Sequence, residues 1–211
     1  MRSITVTSIR QPTPDAVSVG VEIISGENRR SESFLLLSEF FERLGIEVGE
    51  LSGDGLCDVE FWSNVTEAYM SACRSFAFTP SSLSALRAKL ISKGFERNVA
   101  GQAIEHLRSR GFVDEEEIAL RRAEIFVSKL WGQTRIMAKL REEGFDDSVT
   151  DAVCNYLEDV DMVALCASLI EKKYGTVPSD RREREKMCGA LYRYGYSPSE
   201  IKLAMLSISD E

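Results

Sequence analysis

Hydrophobic positions along the chain follow two different periods. From Ala16 to Ile24 they alternate, with Val17, Val19, Val21 and Ile23 on one face, as a half-buried strand requires. Ile4, Val6 and Ile9 alternate more weakly ahead of them, and Pro12 and Pro14 break that run. Ser25-Gly26-Glu27-Asn28 has turn composition, and 31–34 reads as a returning strand. The stretch LLLSEFFERL over 35–44 changes to helical spacing and stops at Gly45, and the glycine- and acid-rich residues 49–58 read as a linker.

Beyond residue 60 the helical period persists, and one phrase recurs within it. Leu86 to Phe95 (LRAKLISKGF) returns as Ile136 to Phe145 (IMAKLREEGF) and, more loosely, as Met187 to Tyr196 (MCGALYRYGY). The glycines Gly94, Gly144 and Gly195 lie 50 and 51 residues apart, a period that marks a repeat architecture. Leu86 and Leu90 share one helix face. Gly94 then supplies a left-handed residue that ends the helix, and Phe95 reaches back to Leu90 as in a Schellman motif. Phe145 with Leu140 and Tyr196 with Leu191 repeat the pairing. An apolar residue twelve positions past each aromatic (Leu107, Leu157, Ile208) closes the following helix.

Cap signals divide the rest. Val65, Tyr69, Ala72, Cys73 and Phe76 mark one helix, and Thr79-Pro80 reads as N-cap and first residue of the next. A third helix spans about 96–110 and ends at Gly111. Asp114-Glu115-Glu116-Glu117 puts acids at a helix start, where the dipole favours them, and that helix is expected to run to Gly132. Further helices are expected from Asp147 to Leu157 and from Met162 to Lys173. After a loop at 175–178 and the helix of the third phrase, Ser197-Pro198-Ser199-Glu200 forms a capping box. The architecture is therefore mainly α. Three tandem three-helix repeats (59–111, 112–159, 160–211) form an elongated curved scaffold behind an N-terminal β-hairpin and short-helix extension (1–58).

Composition removes several function classes. No apolar run approaches the roughly 18 residues of a membrane span, and the first ten residues lack a signal-peptide core, so the expectation is a cytoplasmic protein without a membrane partner. The five cysteines are odd in number and without Cys-x-x-Cys spacing, and read as reduced, mostly core thiols. The single histidine, His106, falls on the packing face of its helix and has no metal-ligand set around it. With no phosphate-binding loop and no nucleophile–base pairing, we expect no catalytic, cofactor or metal site, and no enzyme.

What remains is charge. The chain carries a formal −8, yet residues 61–111 hold seven basic and three acidic residues. Basic side chains continue through all three repeats and suit an acidic protein or a phosphate backbone.

At this point the pattern resembles the RecX family of recombinase regulators. Gly111-Phe112-Val113-Asp114-Glu115-Glu116-Glu117-Ile118-Ala119 is similar to that family's step from first to second repeat. Gly132-x-x-Arg135-Ile136-x-x-x-Leu140-x-x-x-Gly144 is similar to its next segment. The likeness covers about residues 61–209. The N-terminal hairpin with LLLSEFFERLGIEVGE resembles an extension found in part of the family. Departures are Phe78-Thr79-Pro80-Ser81 in place of an Arg-Ser or Tyr-Ser step, Ile118 in place of an aromatic, and Glu143 in place of a basic residue. The resemblance implies a monomeric, non-catalytic regulator in DNA repair, recombination and the SOS response. It would bind the RecA–single-stranded-DNA filament, limiting its extension and its ATPase, strand-exchange and co-protease activities, with weak contact to DNA. Joined to the charge map, it points to Arg87, Lys93, Arg97, Arg121, Arg122 and Arg135 as partner-binding residues. The alternative is a helical nucleic-acid-binding module acting directly on DNA.

Overall fold

The computed structural model describes residues 2–209. Among them lie four strands and ten helices, so the protein is mainly helical with an N-terminal sheet. The chain forms two compact units: residues 1–80 with 86–113, and residues 81–85 with 114–211.

In the first unit, β1 (Arg2–Thr13), β2 (Ala16–Ser25), β3 (Asn28–Leu37) and the two-residue β4 (Gly49–Glu50) form an antiparallel sheet ordered β3-β2-β1-β4. Pro12 does not end β1, which runs on to Thr13 and stops at Pro14, in the turn to β2. Its pairing with β2 instead slips between Arg10 and Thr13, and Pro12, which has no N–H to give a ladder, falls within that irregularity. Ile4, Val6, Val17, Val19, Val21 and Leu36 form a buried face with Leu56 and Val59. Those two residues belong to α2 (Gly53–Phe78), which follows α1 (Ser38–Leu44). The expected linker at 49–58 is therefore β4 and the first turn of α2. Ser52 accepts from the Gly55 N–H and caps that helix, and glycine costs little where helical N–H groups are unpaired anyway. Thr66, fully buried, accepts from Leu37 N at 3.1 Å and donates to Trp62 O at 2.9 Å, tying β3 to α2.

Thr79 is the C-cap of α2 rather than the start of the next helix. Helix α3 (Leu83–Ser92) begins four residues later, with the Ser82 hydroxyl accepting from Ala85 N at 3.1 Å. Helix α4 (Arg97–Ser109) packs against α2 with Val99, Ala100, Ala103 and Leu107 buried, and Gly111 (φ 68°) ends it.

The second unit contains α5 (Glu115–Ser128), α6 (Gln133–Glu142), α7 (Asp147–Glu158), α8 (Met162–Tyr174), α9 (Arg181–Arg193) and α10 (Pro198–Ser209) around one core. Asp114 caps α5 by accepting from Glu117 N. Ser197 and Glu200 exchange both bonds of the expected capping box, at 2.6 and 3.3 Å. Helix α5 stops at Ser128 rather than near Gly132. Its left-handed residue is Leu130 (φ 59°), with Trp131 N bonded to Phe126 O and Leu130 N to Val127 O. This is a Schellman ending without glycine. The Phe126 and Trp131 rings, 4.7 Å apart and 6° from parallel, supply its apolar clasp and offset the roughly 1–2 kcal/mol that a left-handed Cβ costs.

The three recurrent phrases share one geometry. Phe95, Phe145 and Tyr196 donate their backbone N–H to Leu90, Leu140 and Leu191 O at 3.2, 3.1 and 3.3 Å. Gly94, Gly144 and Gly195 bond to the carbonyl three residues back, with φ of 98°, 85° and 100°. All three leucines are buried. The second and third turns also rest on helix starts within the unit. Ser82 Oγ donates to Glu143 O at 2.7 Å. Gly132 N donates to Tyr194 O at 2.9 Å, and Thr134 N to Gly195 O at 3.2 Å. A Cβ on Gly195 would lie 2.5 Å from Arg135 N, whereas one on Gly94 would meet nothing within 4 Å.

Leu140→Ala should cost roughly 2–5 kcal/mol in urea unfolding, because its fully buried side chain leaves a cavity in the second core. Gly94→Ala should cost about 1 kcal/mol from backbone strain alone. Gly195→Ala should cost clearly more, since the backbone of α6 blocks its Cβ; equal melting temperatures for the two variants would refute the tight turn contact.

Candidate functional site

The basic residues singled out by sequence have different surroundings. In the first unit, Arg87 is exposed, and its guanidinium lies over Gly101 of α4, where an added Cβ would be 3.5 Å from Nη2. Lys93 Nζ donates to Ser71 Oγ at 2.8 Å and Ser75 Oγ at 3.3 Å, so it links the end of α3 to α2. Arg97 is exposed at the first position of α4.

In the second unit, Arg121 pairs with Glu117 one turn back on the exposed face of α5. Arg122 forms a bidentate pair with Glu143 at 2.6 and 2.9 Å, and this bond raises its pKa. The sequence signal there was Glu143 itself, which stands at a position where the resembled family has a base.

Arg135 is held by rings. Its Cζ lies 3.9 Å from the Trp131 centroid and 4.9 Å from that of Tyr194. Lys173 Nζ lies 4.1 Å from the same Tyr194 centroid and donates to its phenol oxygen at 2.6 Å. That hydrogen bond, with the charges of Lys173 and Arg135, draws the Tyr194 pKa below its ordinary value. The sequence supplied the parts without the assembly: Lys173 reads as one base among many, and Tyr194 as the residue before a turn glycine. Most neighbouring bases are neutralised locally, as Arg122, Lys139, Arg141, Arg181 and Lys186 show. Among the described residues, Arg135 and Lys173 form no ion pair, although two positive charges converge on one ring. The cation–ring contacts, each worth about 0.5–1 kcal/mol where exposed, offset part of their repulsion. The planar Arg fork and the Lys ammonium are both groups whose chemistry suits an oxyanion. Trp131 is already engaged by the stacked Phe126 ring and by the Arg135 guanidinium.

A second feature lies in the first unit. Glu39, Phe40, Arg43, Trp62, Gln102 and His106 line a cleft of about 250 Å³. His106 is 9% exposed and edge-on to Phe40 and Tyr69. Its Nε2 sits 3.0 Å from Glu39 Oε1 but lacks the alignment of a hydrogen bond. Burial lowers its pKa more than Glu39 raises it. Among the described residues no cluster of three or more His, Cys, Asp or Glu side chains could hold a metal, and no helix is long and apolar enough to cross a membrane. Of the free cysteines, Cys166 is fully buried, its thiol pushed up to about 12 chiefly by desolvation; Cys154 and Cys188 pack against the same core, Cys73 is half-buried and Cys57 is exposed.

Two titrations follow. Lys173→Met should raise the Tyr194 phenol pKa, read by ultraviolet difference spectra. A neutral buried His106 contributes stability that is present above its unfolded pKa of about 6.5 and lost as pH falls toward its lower folded value. His106→Gln should flatten urea stability across that window; an unchanged pH profile would show that His106 does not set it.

Comparison with known proteins identifies the fold and the lineage. A family model described as RecX, third three-helix domain, matches residues 159–205. The regulatory protein RecX of Halorhodospira halophila is 30% identical over 131 residues, covering 60% of this chain and 78% of that protein. The regulatory protein RecX of Syntrophotalea carbinolica is 27% identical over 141 residues, covering 64% and 92%. A crystal structure of a regulatory protein RecX superposes with a TM-score of 0.73 at 17% identity, covering 99% of this chain and all of that one, and so shares its fold. On this identity and coverage, the chain belongs to the RecX family.

Proposed function

We propose that this protein regulates the RecA recombinase. It binds the RecA–single-stranded-DNA filament in the cytoplasm as a monomer and limits filament extension, ATP hydrolysis, strand exchange and co-protease action. It performs no catalysis, and through RecA it acts in DNA repair, recombination and the SOS response. In this reading residues 59–111, 112–159 and 160–211 are three three-helix repeats, with residues 1–58 as an extension. The observation that carries the proposal is the unpaired cation pair Arg135 and Lys173 on Tyr194, in a chain of the RecX family. Such a pair suits acidic side chains or phosphates exposed along a filament. Arg87, Arg97 and Arg121 extend the same contact as exposed charges. Lys93 and Arg122 contribute mainly by keeping the helices in place.

The alternative, direct action on DNA, is carried less far. The overall charge is negative, and the cations covering Trp131 and Tyr194 leave little ring surface for bases. Salt-dependent binding to naked single-stranded DNA without RecA would favour it.

The deciding measurement is RecA-dependent ATP hydrolysis on single-stranded DNA with and without this protein. Inhibition is expected, weakening as salt rises. Joint replacement of Arg135 and Lys173 by Ala should raise the inhibitory concentration by about tenfold or more, corresponding to the roughly 1.5–3 kcal/mol of charge-assisted hydrogen bonds. Charge reversal of Arg87, Arg121 and Arg135 together should do more than any single change, since an exposed pair is worth about 0–1 kcal/mol. Undiminished inhibition by both variants, with circular dichroism unchanged, would move the contact elsewhere.

A further inference from the structure

We propose that the outer edge of β3 pairs antiparallel with the same edge of a second copy of this chain, about a two-fold axis at Ser31, so that Arg30 of each copy faces Glu32 of the other. The two edges of the sheet are guarded differently. On the β1 side, β4 pairs with Thr5 and Val6, the register slips between Val6 and Ser8, and Pro12 has no N–H to offer. On the other side, β3 pairs with β2 from Asn28 to Leu37 without a slip and contains neither proline nor glycine.

Two bonds at the end of β3 show which of its groups face outward. Leu37 N donates to Thr66 Oγ1 of α2 at 3.1 Å, away from β2, and Ser38 N donates to Asp15 O at 3.0 Å, at the start of β2. Backbone groups alternate sides along a strand, so the N–H groups of Ser31, Ser33 and Leu35 point away from β2 as that of Leu37 does. Among the described residues they meet no acceptor. Residues Asn28 to Ser31 and Ser33 are exposed.

Such an edge accepts a strand through its backbone, and the side chains select which one. Arg30 and Glu32 share one face of β3 and form an ion pair with each other, Arg30 with 77% of its side chain exposed. Guard charges of one sign would repel a second copy, whereas these alternate in sign. With the axis at Ser31, Arg30 stands directly opposite Glu32 at two symmetric places and Arg29 lies opposite Ser33. Moving the axis to Arg30 or to Glu32 puts like charges face to face. Charge thus admits one register among these three. In it Ser31 exchanges both backbone bonds with its own copy and Arg29 with Ser33, about six bonds in all. A single strand edge is small beside the interface of a stable dimer, so the copies separate on dilution, and the chain that meets the filament in the functional reading is the single one. The inference goes beyond that reading and does not rest on it.

The test is sedimentation velocity of the full chain at concentrations up to about a millimolar, with Arg30→Glu and Glu32→Arg as variants. Wild type should dimerise reversibly as concentration rises. Each variant alone places like charges opposite each other and should associate at least about tenfold more weakly. An equimolar mixture of the two variants restores both opposite-charge pairs, so it should recover the dimer as a heterodimer. Circular dichroism checks that each variant is folded. Hydrogen exchange on wild type needs no variant: the Ser31 and Ser33 amides should be protected at high concentration and exchange freely on dilution. A wild type that stays monomeric, single variants that dimerise like wild type, a mixture that stays monomeric, or Ser31 and Ser33 exchange independent of concentration would each overturn the pairing. Protection of the same amides only when RecA filaments are added would overturn it too, by giving the edge to a different partner.

Discussion

The second unit depends on one contact: a glycine turn at the C-terminus of one helix resting on the N-terminus of another. Helix ends are costly because their outermost carbonyls and N–H groups have no partners within the helix. At Gly132 and Gly195 two ends satisfy each other. The Tyr194 and Gly195 carbonyls receive the N–H groups of Gly132 and Thr134, and no side chain is needed to cap α6. The fit requires two glycines facing each other, which explains why Gly132 has an ordinary extended φ of −78° and is still glycine. Tyr196, next in the chain, completes the contact by sending its hydroxyl to Leu130 O at 3.0 Å. That carbonyl belongs to the one non-glycine residue with positive φ among those described, so strain at the end of α5 and closure by α9 meet at a single peptide.

The same contact accounts for where the pattern stops. Helix α9 begins at Arg181, capped by its own Asp180, and Glu183 stands inside the helix where Ser82 and Gly132 stand at helix starts. Its surroundings from 181 to 186 are exposed and laced by Arg181–Glu185 and Lys186–Glu183 pairs. Among the described residues this solvated, self-capped start receives no glycine turn.

Much of this was legible because it is local. A helix that ends at Gly with an aromatic after it encodes its own hydrogen bonds within six residues, and the caps at Asp114 and Ser197 are encoded within four. Errors arose where a distant partner decides. Thr79-Pro80 has cap chemistry, but α2 continues to Phe78, carried by its packing against β3 and α4. Residues 49–58 have linker composition, yet Ser52 caps a helix across two glycines and β4 pairs with Thr5 and Val6. The end of α5 was misplaced because its left-handed residue is a leucine supported by ring stacking. For the contact surface the limit is sharper. Composition counts charges but cannot say which are neutralised, and the partners that occupy Lys93 and Arg122 lie 22 and 21 residues away.

The joint also decides which charges remain available. Arg135 follows Gly132 by three residues, so the approach of the two turns fixes its backbone, and Tyr194, beside Gly195, brings the ring on which its guanidinium lies. Lys173 reaches that ring from the end of α8. The cations are thus set by the same peptides that carry the packing, and a substitution that loosens the turn would scatter them before unfolding the helices. Charges elsewhere behave differently: Arg87 or Arg97 can be replaced with little effect on the core, and each alone contributes little to a contact. The chain thus places Arg135 and Lys173 on one ring from two different elements, while Arg87 and Arg97 stand exposed on helices of the first unit.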